Sequence, residues 1–280
     1  MNIITLSPEQ PFDLHLSLSC GQVFRWAREG DRWTGVVGEK VVRIRQDGNR
    51  LIFSGADPSF VREYFHLDAD LPTILGEIDR DTLMHETILK NQGLRIIRQP
   101  AWECLASYIC ATYANIPGIK KRISLLSEKF GRPVYSEGET FYSFPTPESL
   151  ADCLPCDIRS CSVGYRASFL AETSRIVADR PEWEDTLRAL SYRDARRELL
   201  ALKGVGKKVA DCVLLFGFQR YEAFPVDVWI ERIMKRCYGA DRELKNYEQV
   251  AGLGRELFGP YAGYAQEYLF CDRNRIVPRC

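Results

Sequence analysis

The stretch LKGVGKKVADC, residues 202–212, decides how this chain is read. Upstream, SYRDARRELLAL (191–202) begins with Ser191 and carries an acid three residues later, the pattern of a capping box, so a helix runs to about Gly204. Glycine just past a helix end supplies the positive φ that turns the chain. A second glycine, Gly206, keeps the corner tight and leaves backbone N–H groups bare, and a new helix begins near Lys207. Gly204, Val205, Gly206 and Lys207 then form an anion site that grips a phosphate without reading sequence. Taken alone, Gly-x-Gly is equally well a plain corner between two helices.

Lys208 changes that balance. It stands in the first helical turn, where the helix dipole disfavours a cation, and beside the like charge of Lys207; both favour the free amine, which is a nucleophile toward carbon. Downstream, FPVDVW (224–229) places Asp227 after a proline at the start of another helix. As an N-cap it accepts backbone N–H bonds. Asp227 alone reads as an ordinary cap and Lys208 alone as a surface lysine. Hairpin, lysine and aspartate together are far more specific.

The rest of the chain sets the frame. Its 280 residues, 45% hydrophobic and 27% charged, are those of a globular protein with a sizeable core. No apolar run reaches the length of a membrane span, and MNIITLSPEQPFDLHL lacks the basic and apolar segments of a signal peptide. A cytoplasmic address is expected, nucleoid-associated, or nuclear in a eukaryote, with ten reduced cysteines. Net charge is zero, but it is segregated. Residues 55–81 are acidic, and residues 90–122 carry Lys90, Arg95, Arg98, Lys120, Lys121 and Arg122 against Glu103 alone. Segregated charge permits a phosphate-binding face on a neutral protein; basic runs are otherwise solvated helix faces.

VFRWA, RWTGVV, VVRIR and LIF, within residues 21–53, are β-branched or aromatic runs separated by turn signals, so they predict hairpin-connected antiparallel strands. From about residue 58 the pattern is helical and stays so; IKKRISLLSEKF puts Ile119, Ile123, Leu126 and Phe130 on one stripe. The expected fold class is α+β: an antiparallel twisted-sheet domain over residues 1–90, then a helical region over 91–280.

CGQVFRW, NQGLRIIRQPAWECLASYIC, FYSFPTPESL, VGYRA, GVGKKVADC, FPVDVW and AGYAQEYLF, in that order over about residues 20–275, resemble the 8-oxoguanine DNA glycosylase/AP lyase family of the helix-hairpin-helix DNA glycosylase superfamily. The resemblance implies base flipping, with Lys208 as the nucleophile that forms a Schiff base and Asp227 as the partner that stabilises positive charge on the sugar. It implies a base pocket of Gly21, Cys212, Gln266 and Phe270. The Gly21 carbonyl would meet the N7 hydrogen that 8-oxoguanine has and guanine lacks, Gln266 the Watson–Crick edge, and Phe270 the purine face. On the DNA side it implies Tyr165 as a wedge and Arg166 as a contact to the orphaned cytosine. Tyr113 and Gly118 stand where the family often has asparagine and arginine, and Trp229 where some members have a histidine near the phosphate. Opposite-base preference is therefore expected to be weak.

The expected partner is double-stranded DNA containing oxidised guanine, bound by a monomer. No cofactor is expected, although the hairpin carbonyls are of a kind that could hold a monovalent cation beside a phosphate. No metal is expected: Cys153, Cys156 and Cys161 lack a second ligand pair. Two other readings stay open here, a monofunctional glycosylase for alkylated bases and a non-catalytic hairpin module; neither needs Lys208.

Overall fold

A computed structural model describes residues 1–239 and 243–278. The four expected strands are present as β2 (Trp26–Glu29), β3 (Arg32–Val37), β4 (Lys40–Asp47) and β5 (Arg50–Ser54). A fifth, β1 (Asn2–Thr5), pairs with β5 and gives the antiparallel order β1-β5-β4-β3-β2. Its four residues were too short to stand out in the sequence. One sheet face packs Trp26, Trp33, Ile44, Leu51 and Phe53 against Val61, Tyr64, Phe65 and Ile97. Most other buried apolar side chains form a larger, mainly helical core, which takes in Cys20 and Phe24 and runs from Leu71, Ile74 and Ile78 to Tyr268 and Leu269.

The helical region is not helical throughout. β6 (Pro133–Ser136) and β7 (Glu139–Tyr142) form a separate hairpin whose turn has Glu137 and Gly138 at positive φ. Such a short hairpin is marginal alone. Arg43 of β4 fastens it, donating to Ser136 Oγ at 2.7 Å and lying 3.1 Å from Glu139 Oε2. That support comes from residues some ninety positions away, which a local pattern cannot reveal.

The segregated charge, which permitted a phosphate-binding face or solvated helix faces, has in large part a third explanation within the fold. Asp57, Asp70 and Asp81 in the acidic stretch are N-caps of consecutive helices. In the basic stretch Arg95 is fully buried, donating to the carbonyls of His66, Ala69 and Pro11. Lys90 pairs with Asp272, Lys120 donates to Trp26 O, and Arg122 to the carbonyls of Cys110 and Ser162. These cations hold loops and carbonyls within the fold rather than forming one surface.

Gln22 joins the two parts. It is buried; its Nε2 donates to Ser17 O and Arg95 O, each at 2.9 Å, and its Oε1 accepts from Ile97 N at 2.8 Å. Its own carbonyl accepts from Gln99 Nε2 at 2.7 Å and Tyr108 Oη at 3.3 Å. Gln22→Ala strands a buried amide and two carbonyls, and each such group costs roughly 1–3 kcal/mol when unpaired. We expect a loss of about 2–4 kcal/mol, read as a lowered urea midpoint with an unchanged slope; a loss below about 1 kcal/mol would contradict this account.

Candidate active site

The hairpin forms as expected. Helix Tyr192–Leu200 is capped by the Ser191 side chain on Asp194 N, and Asp194 binds the Ser191 hydroxyl rather than its backbone amide, so the capping box is not reciprocal. Gly204 has φ +79°, and a Cβ there would lie 2.7 Å from Phe169 side-chain atoms; conformation and space both require glycine. Val205 differs from expectation: its side chain is buried and its N–H is bonded to Leu202 O. The amides left for an anion belong to the first turn of helix Lys207–Phe218, whose N-cap Gly206 has no side chain to cover them.

That helix orients its two adjacent lysines differently. Lys207 points away to Glu248, 3.3 Å distant. Lys208 turns inward, its Nζ 4.6 Å from the centroid of the Tyr108 ring. Tyr108 is itself fixed by stacking on Phe216 and by its bond to Gln22 O. One turn on, Cys212 is buried beside Lys208, and burial pushes its thiol up to about 12, so it is a neutral wall residue at physiological pH.

Asp227 caps helix Val228–Ile233, its Oδ1 accepting from Trp229 N at 3.0 Å and Ile230 N at 2.9 Å. Those bonds aim the carboxylate at a cavity of about 760 Å³ that Lys208 also lines. The other walls include Gly21, Phe24, Tyr108, Cys212, Gln266 and Phe270. Gly21 has φ +108°, which L side chains rarely adopt, and a Cβ there would lie 3.1 Å from the Ile116 side chain, so the position favours glycine. Gln266 is buried, and its Oε1 has no hydrogen-bond partner within the protein. A buried amide oxygen without a donor is costly, and a ligand N–H would relieve it. Phe270 is partly exposed, with the Arg273 guanidinium 4.0 Å over its ring.

Tyr113 sits at the cavity mouth, 99% exposed, at φ +49°. A bulky residue rarely holds that conformation, and here the ring is presented to solvent. Tyr165 is also exposed, packed edge-on against Phe169. Trp229 lines the cavity beside Arg232. Arg166 departs from expectation. It is 5% exposed, and its guanidinium is bound to Thr112 O, Thr112 Oγ1 and Val163 O, so it braces the loop that carries Tyr113 rather than reaching outward.

Two features were not singled out in the sequence. Glu267, beside Gln266, is buried in the cavity wall, and burial lifts its carboxyl to about 7. A single acid in the otherwise largely apolar segment AGYAQEYLFC is the signal that could have found it. Behind the site, Asp211 is fully buried and accepts from Arg196 Nε and Tyr192 Oη, each at 2.7 Å, and from Tyr247 Oη at 2.6 Å. Tyr247 Oη in turn accepts from Val226 N at 3.3 Å, which ties the lysine helix to the loop preceding Asp227. Asp211→Asn removes the charge that Arg196 is buried against, and should cost roughly 3 kcal/mol, whereas Tyr247→Phe should cost about 1 kcal/mol. Equal losses in urea titrations would show that the ion pair is not the dominant bond.

Comparison with known proteins adds to this geometry. Residues 3–105 match the family described as 8-oxoguanine DNA glycosylase, N-terminal domain, and residues 113–260 the HhH-GPD superfamily base excision DNA repair protein. A probable N-glycosylase/DNA lyase of Methanothermobacter thermautotrophicus is 38% identical over 231 residues, 75% of this chain and 73% of that one. The N-glycosylase/DNA lyase of Saccharomyces cerevisiae is 30% identical over 90% of this chain and 81% of its own. Among solved structures, the Clostridium acetobutylicum 8-oxoguanine glycosylase/lyase, in complex with double-stranded DNA containing cytosine opposite 8-oxoguanine, aligns with a TM-score of 0.89. It is 34% identical, over 94% of this chain and 92% of that one.

Proposed function

This chain belongs to the 8-oxoguanine DNA glycosylase family of the helix-hairpin-helix base-excision superfamily, and from that premise we propose that Lys208 and Asp227 excise 8-oxoguanine from duplex DNA and cleave the resulting abasic site. The observation that carries the assignment of roles is one cavity lined by an inward lysine, a capped aspartate, a glycine at positive φ and an unmatched buried amide oxygen.

The glycosidic bond is hidden in the stack, so the nucleotide must first leave it. Amides at the start of helix Lys207–Phe218 hold a phosphate of the bent strand; a monovalent cation at the hairpin carbonyls is part of the same proposal. In the pocket Gln266 faces the Watson–Crick edge, Phe270 stacks on the purine, and the Gly21 carbonyl accepts the N7 hydrogen of the lesion. The amine of Lys208 bonds to C1′ while the C1′–N9 bond breaks, its electron pair departing with the base, which takes up a proton. Asp227 offsets the positive charge that develops on the sugar. Ring opening leaves an imine between Lys208 and C1′. The imine acidifies C2′, and loss of that proton expels the 3′ phosphate by β-elimination.

Lys208→Gln should abolish both base release and borohydride-trapped protein–DNA adduct while duplex binding persists. A trapped adduct at wild-type yield would make another amine the nucleophile. Asp227→Asn keeps a good N-cap and so should change stability by less than about 1 kcal/mol, yet it should slow excision severely. A folded, fully active variant would remove Asp227 from the mechanism.

Weak reading of the opposite base is the second part of the proposal. Its support is that Arg166 is turned inward, Gly118 has no side chain, and Tyr113 offers a ring that stacks on any base. A good bidentate contact would supply roughly 1–3 kcal/mol of discrimination, and the side chains displayed at this position supply none. Single-turnover excision of 8-oxoguanine opposite cytosine, thymine, guanine and adenine should differ by less than about tenfold. A preference for cytosine of about a hundredfold over the other three would overturn this part.

A further inference from the structure

We propose that Glu267 is a base-contacting residue of this pocket, presenting its unpaired carboxyl oxygen to the extruded purine as a hydrogen-bond donor. The inference rests on the reading of the cavity as a purine site. Glu267 is 3% exposed, lies in the cavity wall, and its Oε1 has no hydrogen-bond partner within the protein. A carboxyl oxygen buried without a partner is rare unless a ligand completes it. The carboxyl lies beside the Cys20 thiol, whose S–H is directed to Ser17 O at 3.6 Å, so the residue preceding Gly21 flanks the acid. The same helix therefore offers two unmatched groups to one cavity, the Gln266 amide oxygen and the Glu267 carboxyl.

Charge decides which form of the acid serves. Breaking the glycosidic bond places an electron pair on the departing base. An ionised carboxylate in the wall would repel it, whereas a neutral carboxyl donates to it and disperses its charge. The surroundings favour the neutral form. Burial is the main cause and holds the group at about 7, Asp227 pushes it the same way, and the Cys20 thiol, Arg273 and Lys208 oppose. The other titratable neighbours, Cys20, Cys271 and Tyr108, are themselves held neutral by burial. Because the folded value lies above that of a free glutamate, the neutral form dominates below about pH 7 and is lost above it.

The test is single-turnover excision of 8-oxoguanine from a duplex with cytosine opposite, from about pH 5.5 to about pH 9, for wild type and Glu267→Gln. Glutamine keeps an N–H donor but does not ionise, and the ratio of rates cancels any pH dependence the two proteins share. We expect the Glu267→Gln to wild-type ratio to rise about tenfold per pH unit above about pH 7. A carboxyl whose protonation has no bearing on base release would give the same ratio at every pH, and a flat ratio overturns the proposal. If wild type releases no base at any pH, the purine-site reading fails instead. If Glu267→Gln does not fold, calorimetry of Lys208→Gln protein with the lesion duplex, in two buffers of different ionisation enthalpy near pH 7.5, takes its place. Net proton uptake with the lesion duplex and none with the guanine duplex supports the donor; equal uptake with both overturns it.

Discussion

The wall of the pocket that holds Gly21 and Lys208 depends on how Gln22 is held. Its side chain bonds Ser17, Arg95 and Ile97, and its carbonyl takes Gln99 and Tyr108. These five bonds fix the end of the sheet domain against the helical region at the residue that follows Gly21. Tyr108 then carries the constraint to Lys208, whose amine lies over its ring. Gly21 and Lys208, both in the cavity wall, thus share one scaffold, although they lie far apart in the chain. Errors of about 1 Å at a reacting centre cost orders of magnitude in rate, so a clasp of buried, fully used hydrogen bonds suits this position better than apolar packing, which tolerates sliding.

A second brace acts from the other side. Asp211, one residue from Cys212, gathers Arg196, Tyr192 and Tyr247, and Tyr247 holds the amide of Val226. Lys208 and Asp227 are therefore positioned by a common anion that neither touches the cavity nor reacts. The division of labour is clear in the two aspartates. Asp211 is buried and saturated, while Asp227 spends one oxygen on its cap and lines the cavity.

What could be read in the sequence was what local chemistry enforces. The turn at Gly204, the start of a helix at Lys207, the cap at Asp227 and four strands all follow from short-range rules, and the structure has them. The family motifs supplied Gly21, Gln266 and Phe270, which no periodicity connects but one cavity unites. What could not be read depends on distant partners. Arg95 read as part of a basic run, and Arg166 through the resemblance as a contact to cytosine, because their sequence neighbourhoods do not show the distant carbonyls they bind. Strands β6 and β7 need Arg43, and Glu267 needs the Cys20 turn, to make sense of their sequences.

The inward use of basic side chains has a consequence for how binding to DNA responds to salt. A protein that grips phosphates with lysine and arginine releases condensed counterions, and its affinity collapses as salt rises. Here the chain carries no net charge, and several arginines that might have tracked the backbone are tied to carbonyls of its own fold. Amide groups at a helix start bind a phosphate through fixed dipoles and displace few ions. For those arginines counterion release is not the source of attraction, so binding should fall less steeply with salt than the arginine count of the chain suggests.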